Sequence, residues 1–217
     1  MRSFLRAVLC VLVVGGCTSS QGSLRSPAAP MPEPDSLIQT VALGSCADQA
    51  GSQKHWGIIG QEKPDLFVFM GDNVYGDIDR STGEMTILEN AYLQLGAHPE
   101  YDQFQATIPI LPTWDDHYYG ANDAGGEFPQ RTLAEDLFMK FWSVPSNDPR
   151  RSRPGVHHHW AFGPEGKRLQ IIVLDTRMFR GKLRVTDNRG EKGKERYLEN
   201  PDPNQSMLGA AQWEWFE

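Results

Sequence analysis

Apolar positions along the chain fall into short unbroken runs that stop abruptly at polar side chains, and longer runs with helical spacing. The clearest short run is Leu66-Phe67-Val68-Phe69-Met70, bounded by Pro64 and Gly71. An apolar run of that length predicts a strand buried on both faces, because a helix would normally run longer. Asp72 stands at its carboxyl end, followed by Asn73, Tyr75 and Asp77. Ligand sites in α/β architectures form at that end, where loops carry polar groups beside a rigid sheet. Gly-Asp-Asn is also ordinary turn chemistry, so this segment alone leaves turn and site both open.

The same pattern recurs along the chain. Leu37 to Leu43 predicts a strand running into Gly44-Ser45-Cys46, and His55 to Glu62 a short helix ended by Pro64. Strand, helix, strand within so short a span is the signature of parallel neighbours, which would set Cys46 and Asp72 at one sheet edge. Glu84 to Leu95 has helical spacing at Ile87, Leu88, Ala91, Tyr92 and Leu95, and Pro99 to Ala106 adds a turn or two. Ile108 to Trp114 is apolar, but its prolines demote it from central ladder pairing, and it delivers Asp115-Asp116-His117. Thr132 to Val144 predicts a helix whose aromatic face is core, with Thr132 and Glu135 as a capping box. His157 to Phe162 and Arg168 to Leu174 predict an antiparallel hairpin that ends in Asp175-Thr176-Arg177. Lys182 to Asn204 reads as a surface loop, and Gln212 to Glu217 as the first turns of an amphipathic helix.

The amino terminus changes the picture. A basic start, an apolar stretch from Ala7 to Val14 and Gly15-Gly16-Cys17 have the form of a signal peptide over residues 1–16. Small residues before a Cys resemble the lipobox of bacterial lipoproteins, which would leave Cys17 lipid-modified; a plain secretory signal is the alternative. The Ser-, Pro- and Gly-rich segment 17–35 reads as a flexible tether, and 36–217 as one domain. The net charge of −7, with no basic stretch to offset it, argues against a nucleic-acid surface. With Cys10 removed and Cys17 lipidated, Cys46 is the one thiol of the domain. No internal disulfide is then possible, so Cys46 is either buried or has its sulfur occupied.

One thiol, several carboxylates, one phenol and one imidazole thus arrive at strand ends from four segments. That is how a multi-metal site is assembled. Carboxylate oxygens suit calcium, magnesium or manganese, whereas thiolate with phenolate favours an ion such as ferric iron. Two such ions hold the attacking and leaving oxygens of an in-line displacement, so the natural chemistry is phosphoester hydrolysis.

Here the sequence resembles the PhoD-like alkaline phosphatases and phosphodiesterases of the metallophosphatase superfamily. The resemblance rests on Gly44-Ser45-Cys46, Gly71-Asp72-Asn73-Val74-Tyr75, Trp114-Asp115-Asp116-His117, Asn122-Asp123-Ala124-Gly125 and Leu174-Asp175-Thr176-Arg177, with Gln212-Trp213 opening a further block. It implies an α/β (α+β) calcineurin-like metallophosphatase fold: a layered β-sandwich flanked by helices, here incomplete at the carboxyl end. It also implies Asp72 as the ligand that bridges two metals, Cys46 and Tyr75 as ferric-iron ligands, Asp116 as a further ligand and His117 as the catalytic histidine. The metals implied are iron together with calcium, and the location the cell envelope of an exporting bacterium, with a phosphoester as substrate and a lipid anchor at Cys17. Asp175 and Arg177 match a family motif, and Arg177 could grip a phosphate oxygen. Asn73, Asp115 and Asn122 are further candidates, with Asp115, Asn122 and Asp123 left open between site and turn.

Two departures stand out. Tyr118 occupies the place where the family commonly has Asp or Glu after the His, and no later Gly-Asp-x-His block occurs in 178–217. The chain is therefore expected to be an amino-terminal portion of such an enzyme. The alternative function is a catalytically inactive envelope lipoprotein that keeps the fold as a binding or scaffolding module. His157-His158-His159 on a strand would point to alternate faces, which favours a surface or hairpin role over a metal patch. His55 and His98 read as surface or structural residues.

Overall fold

The computed structural model describes residues 25–78, 83–188, 190–192 and 194–217. The expected signal peptide and Cys17 lie outside these. Three parallel strands form the central sheet: β1 (Val41–Gly44), β2 (Leu66–Met70) and β3 (Ile110–Thr113), in the order β1-β2-β3. Helix α1 (His55–Gln61) makes the first crossover, and α2 (Thr86–Ala97) with α3 (Pro99–Thr107) the second. Pro112 is accommodated because β3 is an edge strand of this sheet, where one side of the ladder needs no donor.

β2 shows why its five apolar residues are contiguous. Phe67 and Phe69 point into the helical side, where Trp56 of α1 meets both rings edge-on at 5.6 and 5.4 Å and also contacts Tyr101 and Phe104 of α3. Leu66 and Val68 point to the other face, against Leu111, Phe162 and Val173. That second layer is the predicted hairpin, β4 (His158–Phe162) paired antiparallel with β5 (Leu169–Val173). The order of layers is helices, parallel sheet, hairpin, a mixed α/β arrangement. Leu43, Met70 and Ile172 remain exposed on the hairpin side, around an open apolar groove of about 520 Å³ between sheet and hairpin.

The short helix α4 (Asp116–Tyr119) follows β3, and α5 (Arg131–Phe141) packs Ala134, Phe138 and Met139 into the core. The expected capping box does not form. The helix begins one residue earlier, Gln130 stands at its N-cap without a side-chain cap bond, and the Glu135 carboxylate instead accepts the Gly155 N–H at 2.7 Å. The 182–204 segment is not wholly loop: β6 (Arg184–Val185) and β7 (Tyr197–Leu198) form a small antiparallel pair. The chain closes in α6 (Gly209–Phe216).

Of the segment expected as a tether, 25–35 is described and contains no helix or strand. It is nevertheless fastened to the domain. Asp102 of α3 accepts both the N–H and the hydroxyl of Ser26, Ala29 N donates to Gln105 O at 2.8 Å, and Arg25 lies over the Phe141 ring.

Candidate metal centre

Three strand ends converge because the parallel sheet sets all its carboxyl ends on one edge. Two strands are followed two residues later by a non-glycine residue with positive φ: Cys46 at +58° after β1 and Asp72 at +46° after β2. Side chains other than glycine reach this region at a cost, and residues held there gather at functional sites. The turn at Gly71 is tight as well. Its φ is +106°, and a β-carbon there would lie 2.7 Å from Asp115 Cβ, so glycine is what lets the loop after β2 touch the loop after β3.

Asp72, Asp116 and His117 form the metal-capable group among the described residues, with one ligand atom from each lying within 4.8 Å of the others. Asp72 is buried and its Oδ1 has no hydrogen-bond partner among the described residues. Burial, then the charges of Asp115 and Asp116, push the Asp72 carboxyl up to about 6. Asp116 is displaced the other way. Burial would raise it, but it accepts N–H bonds from Asp123 (2.8 Å) and His117 (3.0 Å) and sits near the Arg177 charge, and the balance lowers it. An orphaned buried carboxylate oxygen beside a second carboxylate and an imidazole is a donor set a cation fits.

Cys46 borders this group through its Sγ, 3.8 Å from Asp72 Oδ2, and it is exposed rather than buried. Tyr75 joins it through its ring, which lies 4.7 Å from that of His117. Burial pushes the Tyr75 phenol upward in the absence of a cation. The four residues expected as metal ligands, Cys46, Asp72, Tyr75 and Asp116, and the expected catalytic His117 thus lie in one neighbourhood. Asn73 is fully buried beside them, and neither of its amide atoms has a hydrogen-bond partner among the described residues.

The other candidates lie outside the group. Arg177 makes an ion pair with Asp115, its Nε 2.5 Å from Asp115 Oδ1, and its Nη1 is buried with no hydrogen-bond partner among the described residues. Asn122 accepts a 2.9 Å bond from Arg196 on the small β6–β7 arm, and Asp123 accepts the Tyr197 hydroxyl there. Asp175 is completely buried and is not part of the metal-capable group. Its carboxylate accepts the N–H groups of Val156, Arg177 and Met178, and its backbone is clasped by the Gln212 side chain at 2.8 Å in both directions. Asp175 therefore builds the turn that presents Arg177, and Gln212 docks α6 onto it. Tyr118 points into the core and accepts the Trp142 indole N–H, so the departure from an acidic residue removes no group from the metal side. Of the other histidines, His157 is buried at Arg153, while His98 is held by the Gln49 carbonyl at 2.7 Å.

Two contributors carry no role in the sequence reading. Asp77 Oδ2 lies 2.6 Å from His117 Nδ1. An ionised carboxylate only accepts, so Nδ1 carries the proton in this contact. Burial tends to lower the His117 pKa, but the hydrogen bond and charge of Asp77, with Asp116 and Asp72, raise it. Gln49 locks the loop after β1 to that after β2, accepting the Tyr75 N–H at 2.8 Å and donating to Tyr75 O at 2.9 Å. The available signal for Asp77 was an acid five residues after Asp72 in one loop; Gln49 gave none.

Comparison with known proteins adds the following. Residues 41–217 match the model of a family described as PhoD-like phosphatase. A solved structure of PhoD superposes with a TM-score of 0.62 at 22% identity, covering 85% of this chain and 40% of that one. The chain thus spans well under half the length of that structure. A search of curated proteins gave no match.

Proposed function

Because the chain belongs to the PhoD-like phosphatase family, we propose that it carries residues of a metal-dependent phosphoesterase site acting on phosphate mono- or diesters. The observation that carries this reading is the convergence of Asp72, Asp116 and His117 within 4.8 Å, with a buried Asp72 oxygen left unpartnered among the described residues. A pair of bound cations would supply Lewis acidity at the phosphoryl oxygens and make a nucleophile available near neutral pH. Asp72 would hold both ions, and Asp116 one of them. Cys46 and Tyr75 would bind the more highly charged ion, for which thiolate and phenolate make ferric iron the preferred candidate beside calcium. His117 would act as the imidazolium that Asp77 favours, its Nδ1–H held by Asp77 and its Nε2–H free to steady charge on the leaving-group oxygen or to deliver a proton to it.

Hydrolysis of bis-p-nitrophenyl phosphate and of p-nitrophenyl phosphate tests the reading. Turnover should be lost on treatment with a strong chelator and in Asp72→Ala. A protein that keeps turnover in Asp72→Ala would exclude this site. If Tyr75 binds ferric iron, the protein should show a visible charge-transfer band that Tyr75→Phe removes. The second reading is a fold-retaining binding module without turnover; metal retained without hydrolysis would support it. The lipid anchor belongs to the same proposal: export and acylation at Cys17 would be seen as palmitate labelling that Cys17→Ser abolishes.

A further inference from the structure

A second concave site lies between α5 and the segment 149–155, with a volume of about 540 Å³, inside the range of small-molecule pockets. It shares no residue with the metal centre. On a chain with net charge −7, its wall gathers four guanidinium groups, Arg131, Arg150, Arg151 and Arg153. Arg150, 7% exposed, is paired with Asp148 at 2.8 Å. The other three have no ion-pair partner among the described residues. Arg151 braces the carbonyls of Val144 and Met139, Arg153 bonds His157 and Gly155 O, and Arg131 makes one 3.3 Å bond to Phe128 O.

Two buried N–H groups of these arginines, Arg150 Nη1 and Arg153 Nε, have no acceptor among the described residues. Such donors cost free energy unless something accepts from them. The negative side is weak. It consists of exposed Asp136 and of Glu135, which burial pushes up to about 7 and which therefore carries only part of its charge at neutral pH. Met139, Met178 and Phe179 complete the wall as an apolar side.

We propose that this pocket binds a small organic oxyanion of the phosphate or phosphonate class, its anionic group among Arg131, Arg150, Arg151 and Arg153 and its apolar body against Met178 and Phe179. Guanidinium forks match the oxygens of a tetrahedral anion and are the side chains best suited to hold one. The proposal does not depend on the metal centre.

Calorimetric titration of the whole chain with phenylphosphonate, and separately with inorganic phosphate, tests it. Wild type should bind phenylphosphonate with one-to-one stoichiometry and more tightly than inorganic phosphate. Asp72→Ala should leave the affinity unchanged, which separates this pocket from phosphate bound at the metals. Arg131→Gln should weaken binding at least 10-fold and Arg131→Glu further, with melting curves unchanged because Arg131 contributes a single long bond to the fold. Absence of binding by wild type would overturn the proposal. So would affinity that Arg131→Gln leaves intact, or binding that Asp72→Ala abolishes.

Discussion

Single residues set the chemistry of the strand-end cluster through their surroundings more than through their type. Asp72 and Asp116 are both buried carboxylates. One is raised by burial and like charge, the other lowered because backbone N–H groups and Arg177 outweigh the same burial. Asp77 acts one step removed, by holding His117. It is a positioning residue, and its side chain is 42% exposed, so it contributes little to packing. Asp77→Asn is expected to lower kcat/KM for an aryl phosphodiester by about 10–100-fold. The melting temperature should stay unchanged, and Asp77→Glu should restore part of the rate. A loss of rate that tracks a loss of melting temperature would show that Asp77 matters for folding instead.

Elements bring those residues together, and two joints are exposed to test. Gly71 lets the loop after β2 approach Asp115 with φ at +106°. Gly71→Ala combines a disfavoured backbone with a contact at 2.7 Å, and should destabilise by more than about 1 kcal/mol. Urea unfolding measures this, and activity should fall with it because the two ligand loops are pushed apart. The second joint is Asp175, which receives three N–H bonds and, through its backbone, the Gln212 clasp of α6. Truncating it leaves buried donors unsatisfied at ~1–3 kcal/mol each. Asp175→Ala should therefore cost roughly 3 kcal/mol or more in urea unfolding. An effect below about 1 kcal/mol would mean that the 175–178 turn is held by something else.

At the scale of the whole molecule, stability should depend on pH through His157, which sits where β4, α6 and the 149–155 segment meet. It is 2% exposed, takes a bond from Arg153 and lies 4.7 Å from the Trp215 ring. Burial, then the charges of Arg153 and His158, lower its pKa to about 4. The folded value lies below the unfolded one, near 6.5. The folded protein therefore binds fewer protons than the unfolded chain between these values, and stability is full above about pH 6.5 and is lost as pH falls toward 4. Urea midpoints compared between wild type and His157→Gln should diverge in that window and run parallel above it. Parallel curves throughout would show that His157 does not titrate in the fold.

Much of this architecture is local, and so it is written in the sequence. The unbroken run Leu66–Met70 specified a strand covered on both faces, and spacing specified α1, α2, α5 and the β4–β5 hairpin. Cys46, Asp72, Tyr75, Asp116 and His117 were legible because parallel strands set their carboxyl ends on one edge, which makes position after a strand a proxy for position in space. The tertiary structure decided what depends on contacts between distant segments. Asp77 reaches His117 across 40 positions, Gln212 reaches Asp175 across 37, and Arg177 reaches Asp115 across 62. Thr132 and Glu135 have the spacing of a capping box, yet Glu135 is drawn to the Gly155 N–H of another segment. Four arginines spread over 23 residues read as ordinary surface charge until α5 and the 149–155 segment fold them around one pocket. Periodicity reports which face of an element is buried; it carries no information about which side chains from different elements meet there.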